Sequence, residues 1–93
     1  MPNVRAHVII SGRVQGVFFR AHTRDFAEKF GVRGWVKNRP DGKVEALFEG
    51  DDEDVKAIID WCRDGPPGAG VSDVDVRWDD YKGELKGFEI VYI

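Results

Sequence analysis

Apolar and polar positions alternate at the start of the chain. Val4, Ala6, Val8 and Ile10 share one side of the pattern, while Arg5, His7, Ile9 and Ser11 share the other. A period of two is that of a strand with one face buried. The run is expected to stop at Gly12, and Gly12-Arg13-Val14-Gln15-Gly16 reads as a loop between two glycines. The period then changes. Phe19, Thr23, Phe26, Ala27 and Phe30 recur at helical spacing, which predicts a helix over about 21–30. Gly31, with apolar Val32 behind it, supplies a left-handed stop. Gly34 to Arg39 and Lys43 to Glu49 read as two further strands. Pro40-Asp41-Gly42 turns between them, because proline presets φ and glycine accepts a positive one.

Asp51 is placed to cap a second helix, with Asp52, Glu53 and Asp54 at its positive end. Val55, Ile58, Ile59 and Cys62 form its apolar stripe. Asp64 to Gly70 ends that helix. Val74, Val76 and Trp78 then alternate in a fourth strand, and Phe88, Ile90 and Tyr92 mark a short terminal one. The order is β-α-β-β-α-β with one extra strand. Two helices, each lying between strands, can pack on one face of an antiparallel sheet of four to five strands. That is an α+β, ferredoxin-like sandwich. No linker, repeat or low-complexity tract divides the 93 residues, so a single domain over 1–93 is expected.

Composition narrows the chemistry. One cysteine excludes an internal disulfide and any multi-cysteine metal cluster, and two histidines leave little material for a zinc site. A formal net charge of −3 argues against a nucleic-acid partner. No apolar run approaches a membrane span, and the first residues lack the shape of a signal peptide. A cytoplasmic monomer is expected. On these grounds alone an enzyme is not the favoured reading.

Local spacing changes that picture. A glycine-bounded loop entering a helix can turn several backbone N–H groups toward one anion, and Arg20 stands where loop becomes helix. Its guanidinium suits phosphate. The plainer alternative is a tight turn with a solvent-facing arginine. The loop lacks the Lys-Ser/Thr ending of a nucleotide-binding loop. Asn38, just before the hairpin turn, would ordinarily make a local backbone hydrogen bond.

Taken together, the two segments resemble the acylphosphatase family. Ile10-Ser11-Gly12-Arg13-Val14-Gln15-Gly16-Val17-Phe18-Phe19-Arg20 is similar to its first signature. Gly34-Trp35-Val36-Lys37-Asn38, followed by Gly42, Val44 and Gly50, is similar to its second. The resemblance covers essentially the whole chain. It implies hydrolysis of acyl phosphates to a carboxylate and inorganic phosphate, without metal or cofactor. It also implies a five-stranded antiparallel sheet backed by two helices. By the motif match, Arg20 binds the phosphate, Asn38 positions the attacking water, and the amides of Gln15, Gly16, Val17, Phe18, Phe19 and Arg20 form the cradle. Inorganic phosphate or sulfate would occupy the same site.

The remaining candidates have plain readings. Cys62 is expected to be a buried hydrophobe and not a reactive thiol. His22 either tunes the pocket or stands exposed beside it. His7 has no acid partner at strand spacing and receives no role. One of Phe18 and Phe19 is expected to pack beneath the loop while the other rims the pocket. Trp35, Trp61 and Trp78 are expected to be core or packing residues and not base-stacking platforms. The acidic run at Asp51–Asp54 reads as a helix cap and not a calcium loop. Arg39 either adds positive field or faces solvent. Three rivals stand beside the enzyme: an anion-binding module on the same fold, an RNA-recognition module, and a carbamoyl-phosphate-handling domain of a larger protein. A water-positioning Asn38 separates the first from the enzyme.

Overall fold

The computed structural model describes residues 2–92. Its elements are β1 (Asn3–Arg13), α1 (Phe19–Phe30), β2 (Arg33–Asn38), β3 (Val44–Asp51), α2 (Asp52–Asp64), β4 (Gly70–Asp79) and β5 (Phe88–Val91). The strands form one sheet in the order β4-β1-β3-β2-β5. Ala6, Val8 and Ile10 of β1 and Val44, Ala46 and Phe48 of β3 are fully buried on the face that α1 and α2 cover. From the helices, Phe19, Ala27, Val55, Ile58, Ile59 and Cys62 complete the core. The two-helix, one-sheet α+β architecture read from the element order is the observed one. No helix among the described residues is long and apolar enough to cross a membrane.

Two differences have clear physical causes. β1 continues past Gly12 to Arg13, because a register shift at Ser11/Gly12 lets the strand keep pairing with β4. Gly12 holds φ at +118°, and a Cβ there would lie 2.2 Å from the Gly70 carbonyl oxygen. The bulge therefore requires glycine, and glycine does not end the strand. Second, the sheet is mixed. β5 lies parallel to β2, with Gly34 opposite Phe88 and Lys37 opposite Val91, while the other neighbours are antiparallel. β4 ends opposite Arg5, at the end of the sheet where β2 begins. Residues 80–87 then carry the chain to the far edge along that same end, so β5 starts beside the start of β2.

The helix ends differ in a way that matters for the site. Asp51 caps α2 by accepting a hydrogen bond from the Glu53 N–H at 3.0 Å, and three acidic residues fill its first turn. α1 begins after Phe18 with no side-chain cap and no acidic residue in its first turn. Its far end closes on Gly31 in the left-handed conformation, as its sequence predicts. Trp61 packs against Phe19 and Phe26, with centroids 5.3 and 5.8 Å away. Trp78 lies outside the core. It is 51% exposed at the end of the edge strand β4, where it borders a hollow shared with Lys56 near the start of α2.

Candidate active site

The ends of β1 and β2, the start of α1 and the end of β5 meet at one end of the sheet. There they enclose a cavity of about 480 Å³ lined by Gly16, Phe18, Arg20, Asn38 and Tyr92 among others. Arg20 and Asn38, 18 positions apart in sequence, thus share one cavity. A second hollow of about 350 Å³ continues past Tyr92 and borders the same two residues.

The loop from Val14 to Phe19 is anchored at both ends. Val14 and Phe19 are buried in the core, while Gly16 and Phe18 between them are exposed. Gly16 (φ +76°) and Phe18 (φ +61°) both take the left-handed conformation. Left-handed residues between right-handed or extended ones turn successive N–H groups to one side of the chain. No backbone or side-chain acceptor among the described residues takes up the amides of Gln15 to Arg20. An uncapped, acid-free helix start with free amides leaves its positive end open.

Gln15 and Val17 do not line the cavity. The Gln15 side chain points instead to the β2–β3 turn, where its Nε2 donates to the Arg39 and Lys43 carbonyls at 2.8 and 3.0 Å. This bond ties the loop to the hairpin that carries Asn38, a side-chain role not foreseen from local spacing. His22 is a second such case. Its Nδ1–H donates to the Phe18 carbonyl at 2.9 Å, one helical turn back, and so braces the left-handed residue. Phe19 packs beneath the loop and Phe18 rims the cavity, the expected division of labour.

The electrostatics select Arg20. Arg39 does not line the cavity: it pairs with Asp41 at 3.0 Å and lies 4.0 Å from Glu45. Arg20 has no carboxylate within 4.0 Å among the described residues. Its guanidinium carbon stands 5.1 Å from the Tyr92 ring centroid, a cation–π contact that holds the group against the cavity wall. Asn38 closes β2 opposite Val44. Its side-chain Oδ1 is buried and accepts no hydrogen bond from any protein group among the described residues. The expected local bond to backbone is absent at that atom, so this acceptor is left without a protein partner among the described residues.

Other candidates resolve simply. Cys62 is fully buried, and burial pushes its thiol up to about 12. His7 does have an acidic partner: its Nε2 lies 2.6 Å from Glu45 Oε2 across the sheet's open face. That pair is far in sequence and apart from the cavity.

A family profile for acylphosphatase matches residues 6–90 of this chain. The chain belongs to the acylphosphatase family. An acylphosphatase of Pelotomaculum thermopropionicum is 55% identical to it, across 99% of this chain and 100% of the relative. Among solved structures, the crystal structure of the Bacillus subtilis acylphosphatase superposes with a TM-score of 0.92 at 37% identity. That match covers 96% of this chain and 99% of the other. HypF, crystallised at full length with phosphate and nucleotide bound, matches with a TM-score of 0.85 at 28% identity, but over only 12% of its own chain. The protein is therefore a hydrolase of the acylphosphatase type, with a small-molecule acyl phosphate as substrate.

Proposed function

We propose that hydrolysis proceeds by direct attack of a water held by Asn38, while Arg20 and the amides of Gln15 to Arg20 bind the phosphoryl oxygens. The water oxygen bonds to phosphorus as the bond from phosphorus to the acyl oxygen breaks. The carboxylate leaves with that electron pair. The water's proton passes to a phosphoryl oxygen, giving inorganic phosphate. The observation that carries this reading is that Asn38, whose side-chain Oδ1 accepts no hydrogen bond among the described residues, lines the same cavity as Arg20. An amide oxygen can orient a water by accepting its O–H without removing the proton.

The chemistry asks little more of the protein. Phosphoryl transfer is catalysed chiefly by positioning and by stabilising charge on the phosphoryl oxygens. A carboxylate is a weakly basic leaving group and needs neither a strong acid nor a metal to depart. Turnover is accordingly expected to survive a chelator. Inorganic phosphate and sulfate are expected to compete with substrate. We also take the chain as one domain over 1–93 that works as a cytoplasmic monomer without nucleic acid.

Benzoyl phosphate turnover with inhibition by inorganic phosphate tests the assignments. Asn38→Ala should lower kcat at least about 100-fold, the scale of a misplaced reactant, and keep phosphate inhibition. Arg20→Ala should lose both, with kcat/KM down roughly 1,000-fold or more. Full turnover by Asn38→Ala would overturn the water-holding role. Chelator-sensitive turnover would overturn the metal-free route.

A further inference from the structure

The phosphoryl group accounts for only part of the site. Even at about 30 Å³ per heavy atom, the volume of a liquid water, a phosphate fills about 150 Å³. The cavity of about 480 Å³ leaves room for a larger group. Two aromatic rings stand beside that room. Phe18 is 77% exposed and Tyr92 76% exposed, and both line the cavity with Arg20 and Asn38.

Burial gives little reason for either ring to be there. Phe18 is the only non-glycine residue with a positive φ among the described residues. A left-handed conformation is costly for a bulky side chain, and a ring so exposed recovers little of that cost by burial. A glycine or asparagine would suit the backbone better. Tyr92 follows the last strand residue and presents its ring to Arg20 from the opposite chain end. Beyond the contact of Tyr92 with Arg20, the exposed aromatic surface gains a use when something apolar lies against it. The acyl group of a substrate whose phosphate meets Arg20 is tethered in that position.

We propose that Phe18 and Tyr92 form the acyl subsite of this enzyme and favour acyl phosphates with aromatic or bulky apolar acyl groups over small ones. The inference rests on the hydrolytic site described above. It adds residues that set substrate choice and take no part in bond making.

The test compares kcat/KM for benzoyl and acetyl phosphate, expressed as a ratio, in wild type, Phe18→Asn, Tyr92→Ser and the double variant. The intrinsic difference in reactivity between the two anhydrides cancels when ratios are compared between enzymes. Asparagine tolerates the left-handed conformation, so the loop is kept. Each single variant should lower the ratio about threefold and the double variant about tenfold, mainly through KM for benzoyl phosphate. Trp78→Ser, which removes an exposed aromatic outside the cavity, should leave the ratio unchanged. A double variant whose ratio stays within about twofold of wild type would overturn the subsite. A fall in the ratio with Trp78→Ser as large as that of the double variant would overturn it too. Hydrolysis of neither compound by folded wild type would overturn the catalytic reading and the subsite together.

Discussion

Gln15 shows how one side chain can matter to a site without facing it. Its amide nitrogen joins the loop that carries the free N–H groups to the turn that follows Asn38. Loss of that tie removes two hydrogen bonds, worth about 1 kcal/mol each, and frees the two halves of the site to drift apart. Gln15→Leu should therefore cost about 1–2 kcal/mol in urea denaturation. It should also lower kcat for benzoyl phosphate roughly tenfold, because small misplacements are expensive in catalysis. Inhibition by phosphate should change less than kcat, since the loop itself survives. An unchanged kcat would show that the hairpin does not position the loop. The residues proposed to act on the substrate could be picked out in the sequence, since Arg20 and Asn38 each belong to a short pattern of fixed spacing. Gln15 and His7 were not. Their partners lie 24 and 38 residues away in sequence, and only the strand register brings them near.

At the scale of elements, the legible features were those set by periods and caps within one segment. The core faces of β1 and β3, the Asp51 cap and the Gly31 stop all follow from neighbours a few residues apart. The parallel pairing of β5 does not, because it depends on where residues 80–87 lead the chain. Glu49 fixes that path. Its side chain is 1% exposed beneath the connection, and its Oε2 accepts from Arg5 at 2.9 Å and from the Lys82 N–H at 2.9 Å. Arg33 adds a bond to the Leu85 carbonyl at 3.2 Å. Burial raises the Glu49 carboxyl, but hydrogen bonds from Lys82 and Arg5 outweigh it and hold it below the ordinary 4.5. A depressed folded-state pKa adds stability above the unfolded value, and that stability is lost as pH falls through the folded one. Glu49→Gln should cost about 3 kcal/mol at pH 7, the scale of breaking a buried pair. The gap from wild type should shrink as pH drops below 4.5. A gap that stays constant into acid would show that the carboxylate's charge contributes nothing.

Across the whole molecule the two ends of the sheet divide the work. The cavity gathers the ends of β1, β2 and β5, whereas Glu49 and the 80–87 connection hold the other end. Between them lies the shared core, and Cys62 sits in it with no exposed surface. The thiol's reactivity therefore reports on the core as a unit. Burial lifts its pKa from 9.0 to about 12, so the folded protein presents almost no thiolate to a reagent at pH 8. Labelling must then wait for unfolding. With native states favoured by a factor of about 10³ or more, labelling should be slower than in the denatured chain by a similar factor. Glu49→Gln, which weakens the whole fold, should speed labelling about 100-fold for a loss near 3 kcal/mol. Arg20→Ala should leave the rate within about threefold, as expected of a change at the cavity rim. The buried thiol also sets a limit on alkaline stability. Its contribution is full below pH 9 and falls as pH rises toward 12, since the unfolded chain releases that proton first. Fast labelling of native wild type at pH 8, with no change on adding denaturant, would place Cys62 within reach of solvent and break the link between core and thiol.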